Sequence, residues 1–144
     1  MFADTLLQFE RDYLIRLAVW AHISVLSGAL LLLWLVRRRE QSPLLFHFAV
    51  QTVAWGAFGV ALAAWQWHGL ALRDLAGATR MDHLLWLAIG LDLGGIGVGT
   101  TLAITGWHPG QRLGLVGAGL GIVVQAAAFF VLDARFLGQL QGLV

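Results

Sequence analysis

The stretch at residues 83–107, HLLWLAIGLDLGGIGVGTTLAITGW, decides the fold. It is long and apolar enough to cross a bilayer as a helix, for which about 20 residues suffice. One acid, Asp92, stands deep inside it, and a train of glycines follows directly. In hydrocarbon an ionisable side chain is costly, so it should face other helices rather than lipid. The glycines predict close helix–helix approach. Gly95, Gly99 and Ala103 form one stripe with Asp92, and Gly90, Gly94, Gly97 and Thr101 form another on the opposite face. A helix with two small-residue faces is expected at the centre of a bundle.

Working outward, three further runs have spanning length. The reading is 14–36 for the first span, 44–67 for the second, 83–107 for the third and 113–132 for the fourth. Composition agrees: 59% of the 144 residues are hydrophobic, 12% are charged, and mean hydropathy is +0.78. Soluble domains carry roughly 25% charged residues. The alternating pattern of a closed β-barrel, the other spanning solution, is absent. The expected fold is therefore all-α: one integral membrane domain, a four-transmembrane-helix antiparallel bundle with short loops.

Residues 1–12 read as a short interfacial helix, with Phe2, Leu6, Phe9 and Tyr13 on one face and Thr5 and Gln8 at capping-box spacing. Arg37, Arg38 and Arg39 stop the first span, and Ser42-Pro43 reads as an N-cap followed by proline at the first helical position. Residues 68–82, HGLALRDLAGATRMD, read as a loop, and His108 to Arg112 as a tight turn. No cleavable leader is expected, because the first apolar run has full spanning length and no basic segment precedes it. The compact Arg37–Arg39 cluster with Arg112 points to the cytoplasmic side, with both termini outside. Six of the seven tryptophans are expected in interfacial belts, Trp20 among them, leaving Trp55 in mid-membrane.

Composition also excludes chemistry. With no cysteine there are no disulfides, no thiolate catalysis and no Cys-ligated metals. A net charge of +1 gives no reason to expect nucleic acid. No nucleotide-binding, hydrolase or metalloprotease motif is present. The glycines after Asp92 lie inside a spanning helix with no preceding strand, so they are not a dinucleotide fingerprint.

Depth along each helix, at about 1.5 Å per residue, groups the interior polar residues. His22, Asp92 and Gln125, from three helices, all fall roughly 10–12 Å below the termini side. They are expected to form one polar intramembrane cluster opposite the gap left by Gly59. His47, Gln51 and His108 form a possible second site near the other side. Gly95, Gly99, Gly117 and Gly121 are read as helix-packing positions. No catalytic or metal set is identified and an enzyme is not expected. The leading expectation is a non-enzymatic accessory or scaffold subunit acting through helix–helix contacts, with lipid, other membrane subunits or its own copies as partners. The alternative is a membrane protein that binds a proton, small molecule or cofactor at the His22, Asp92 and Gln125 layer. Haem at paired histidines, a chlorin pigment at His22, and quinone are the cofactors considered; the sequence itself names none.

Two runs carry a resemblance. LDLGGIGVGTTLAITGW at 91–107 and GAGLGIVVQAAAFFVLD at 117–133 resemble the third and fourth helices of an uncharacterised bacterial family of four-transmembrane-helix proteins of unknown function. FHFAVQTVAWGAFGVALA at 46–63 is similar to that family's Trp-containing helix. The resemblance covers roughly 40–135 and singles out Asp92, Gln125, Asp133 and Trp55. It implies the bacterial inner membrane. Where the family tends to place asparagines after the tryptophan, this chain has Gly56 and Gly59.

Overall fold

The computed structural model describes residues 2–39, 41–108 and 110–143. It contains α1 (Phe2–Arg38), α2 (Pro43–His68), α3 (Leu75–Trp107) and α4 (Leu113–Gln141), with no strand among the described residues. All four are long and apolar enough to cross a membrane. Local chemistry sets the helix starts. Ser42 caps α2 by accepting from Leu45 N–H, with Pro43 in the first turn where its missing N–H costs nothing. Asp74 caps α3 by accepting from Gly77 N–H at 2.8 Å. Gly110, at φ +100°, takes the left-handed conformation that the α3–α4 turn needs.

Three helices run further than the sequence suggested. α1 runs unbroken from Phe2, so the described part of the expected 1–12 interfacial helix, residues 2–12, is the start of the first span's helix. Residues 75–82 of the expected 68–82 loop are the first turns of α3, and α4 continues past 132 to Gln141. The physical reason is water. Above the bilayer, apolar side chains gain from burial, and these extensions bury Leu6, Ala78, Phe136, Leu137 and Leu140 together. A small three-helix cap thus stands on the termini side. Within the bilayer-facing stretch, Ile23, Leu26, Leu30, Phe58, Leu91 and Val98 stay on the outside, as lipid permits.

An ion pair between Arg73 and Glu10 pins the cap. Arg73, in the α2–α3 linker, donates from Nη2 to Glu10 Oε1 at 2.7 Å and from Nε to Oε2 at 3.2 Å. Glu10 is buried, and its carboxylate makes the Arg73 guanidinium still harder to deprotonate.

The central helix is α4, not α3, which corrects the sequence expectation. α4 packs on α1, α2 and α3, whereas α3 packs extensively on α4 alone. The alternation Gly117-Ala118-Gly119-Leu120-Gly121 explains it, because residues two apart point to different sides of a helix. Gly117 lies against the Leu44 backbone and Gly121 against Gln51, both on α2. Gly119 lies against Gly99 O and the Ala103 backbone on α3. The second small-residue face of α3, at Gly90, Gly94 and Gly97, meets nothing within 4 Å.

Candidate functional site

The polar residues inside the bundle form two networks stacked along α4, whose residues Gln125, Phe129 and Asp133 step along one face. The lower network is built on Gln125, the largest polar side chain buried inside the bundle. Trp20 Nε1 donates to Gln125 Oε1 at 2.9 Å, and Gln125 Nε2 donates to Ser24 Oγ at 3.1 Å. Trp20 is therefore an interior donor and not a belt residue. Trp34, Trp65, Trp67, Trp86 and Trp107 do lie exposed. Replacing Gln125 with leucine keeps the volume but strands the Trp20 N–H and the Ser24 hydroxyl. The expected cost is about 1 kcal/mol, the scale of interhelical hydrogen bonds in membranes. It is checked by the thermal unfolding midpoint in mild detergent.

The upper network joins three helices. Tyr13 on α1 donates its hydroxyl to Asp133 Oδ1 on α4 at 2.7 Å. The Tyr13 ring stacks on Phe136, with ring centroids 4.8 Å apart. Gly95 on α3 faces Ala126 on α4, and Asp92 and Asp133 lie on those same two faces, one and two turns nearer the termini side, so the two carboxyls approach each other across the α3–α4 seam. Asp133 is 6% exposed, and Asp92 Oδ2 is inaccessible and lacks any donor. Phe136, Leu137 and Leu140 cover the network from the termini side and Phe129 underlies it.

The three residues expected to share one layer are thus divided. Asp92 joins the upper network and Gln125 the lower. His22 joins neither: it is exposed, with Nδ1 2.7 Å from its own helix at Ala18 O. Depth along the helix was matched, but direction around it was not. Leu14, Leu17, Ala21, Ser24 and Gly28 are the buried stripe of α1, and His22 lies about 100° off Ala21. The expected gap at Gly59 is filled by Ala21 and the Phe129 ring. Trp55 packs edge-on against Phe58 and Phe129.

On the opposite side, the His47 ring lies over Gly114 of α4 with Nδ1 2.8 Å from Pro43 O, and Gln51 lies over Gly121. His108 is the exposed C-cap of α3. Gly95 faces Ala126. Among the described residues, no three His, Asp or Glu side chains are grouped to hold a metal ion. The signal that finds the upper network is in the sequence: Tyr13 and Asp133 each lie one residue outside an expected span, both at the termini side, and the resemblance singles out Asp133.

The comparisons agree with this architecture. No curated protein and no solved structure matches the chain. A family of unknown function (DUF6992) matches residues 16–134, which include Asp92, Gln125, Asp133 and most of each span. With most of its length matched and four helices fit to cross a membrane, the chain belongs to this family of unknown function, as a small multi-pass membrane protein.

Proposed function

We propose that the protein is a non-enzymatic accessory or scaffold subunit of a bacterial inner membrane, acting through helix–helix contacts made by α3. The observation that supports this is the open face at Gly90, Gly94 and Gly97. A glycine inside a helix costs roughly 1 kcal/mol relative to alanine. At Gly99 and Gly106 that cost brings neighbouring backbone close. At Gly90, Gly94 and Gly97 no neighbour within the chain benefits. In membranes such faces serve close packing with another helix, because lipid supplies no hydrophobic drive for association. The partner helix belongs to another subunit or to a second copy. The exposed Arg37–Arg39 cluster supports a cytoplasmic position for the α1–α2 turn, with both termini outside.

Gly94→Trp tests the reading. Nothing lies within 4 Å of Gly94, so the variant is expected to fold with its stability within about 0.5 kcal/mol of the parent. It is also expected to lose its place in any larger complex on native gels of gently solubilised membranes. Unchanged assembly in a folded Gly94→Trp protein would refute the role of this face.

A further inference from the structure

Asp92 and Asp133 pose a question that helix packing does not answer. Two carboxyl groups from different helices meet at the α3–α4 seam beneath the apolar side chains of the cap, Asp133 buried and Asp92 half-buried. Among the described residues their one other polar contact is the Tyr13 hydroxyl, which donates to Asp133. Counter-charge is missing. Among the described residues no guanidinium pairs with either acid: Arg73 is taken by Glu10, and Arg135 is exposed. The titratable groups that face the pair are Tyr13 from α1, Asp133 from α4 and Asp92 from α3. α2 presents none, since its only titratable residues, His47 and His68, sit at its two ends.

Two carboxylates within hydrogen-bonding reach and away from water do not both stay ionised; they share one proton. The geometry also says where it resides. Asp133 Oδ1 accepts from Tyr13, which favours Asp133 as the anion. Asp92 Oδ2 is buried without a donor, as suits the neutral partner better than a carboxylate. We infer that Asp92, Asp133 and Tyr13 form a one-proton binding site in which Asp92 carries the proton, donates it to Asp133 and so fastens α3 to α4. The consequence is directional. α3 packs extensively on α4 alone, and Gly99 and Gly106 already hold its far half there through close backbone approach. When the proton leaves, two adjacent anions repel, and the termini-side half of α3 separates from α4 while the far half stays.

The pH dependence has a definite sign. The native pair holds a proton that an unfolded aspartate, with a value near 3.9, has already released at neutral pH. The native state therefore binds more protons than the unfolded state. Stability falls as pH rises above about 4 and levels off once the native pair has lost its proton.

Infrared spectroscopy of the full chain in lipid vesicles tests this. A protonated-carboxyl C=O band is expected at neutral pH. It should vanish in Asp92→Asn and should titrate away in the parent as pH rises. Asp92→Asn, whose amide reproduces the neutral acid's donor, should fold and lose the parent's fall in thermal midpoint with pH. Asp133→Asn, which removes the anion Tyr13 donates to, should have the lower midpoint of the two. Absence of the band in the parent at neutral pH would overturn the proposal, because both acids would then be ionised. A band that persists in Asp92→Asn, or an unchanged pH profile in that variant, would overturn it too. If Asp133→Asn does not fold, the parent spectrum and the Asp92→Asn profile still decide.

Discussion

Gly119→Leu is expected to abolish the folded bundle. A side chain at position 119 meets Gly99 O and the Ala103 backbone of α3, and neither is a flexible side-chain end that can swing aside. Over-packing a core that can adjust costs about 1–3 kcal/mol. Here two helix backbones must separate, and the expected cost is at or above the upper end of that range. Total stabilities are about 5–15 kcal/mol, so this is a large share. The expected result is loss of monodisperse protein after solubilisation, or a collapse of the thermal midpoint. Gly138→Leu is the control on the same helix: nothing lies within 4 Å of it, and that variant is expected to behave as the parent. If Gly119→Leu is tolerated, the close approach of α3 and α4 is not what holds them.

Arg73→Ala is expected to open the termini-side cap while leaving the membrane part assembled. The variant strands the Glu10 carboxylate, which is 4% exposed, without its two donated hydrogen bonds. Breaking a fully buried pair by removing one partner costs roughly 3–5 kcal/mol. Arg73 keeps about a third of its side chain in water, so about 2 kcal/mol is expected here. Glu10→Gln should cost less, because its amide oxygen still accepts and no charge is left buried. Adding Glu10→Gln to Arg73→Ala should recover part of the loss. Hydrogen exchange reads the effect locally: amides around Leu6 and Leu140 should lose protection, while those around Gly99 and Gly119 should not. An equal loss at both ends would mean that cap and spans unfold as one unit.

The spans were legible because hydropathy alone sets them, and the Ser42-Pro43 start was legible because its capping chemistry is local. The cap was not. Residues 68–82 are too polar for a membrane and read as a loop. Yet Leu75, Ala78 and Met81, spaced three apart, are compatible with a helix at the surface, and Ala78 is buried in the cap. The order of the helices was hidden for a different reason. α3 and α4 both display glycine on more than one side, and sequence does not reveal which sides meet a neighbour within the chain. The spacing of Gly117, Gly119 and Gly121 held the answer, but only beside the partners at Leu44 and Gly99. For the polar site, depth brought Asp92, Gln125 and His22 together on paper. The heptad-like stripe of α1 would have turned His22 outward and drawn attention to Tyr13, one residue before Leu14 on the buried side.

The cap also fixes an order of events in biogenesis. Its core joins Leu6 of α1 to Leu137 and Leu140 of α4, the first helix to be synthesised and the last. Until α4 is made, Leu6 lacks Leu137 and Leu140 in its core, and Tyr13 lacks its acceptor. α1 and α2 can already pair through Gly28 and Gly56, which lie against one another's helices. The α1–α2 pair therefore needs nothing from α4 for its own close approach. Closure of the cap marks the arrival of the last helix, so a chain interrupted within α4 displays an uncovered apolar surface for quality-control proteases to recognise.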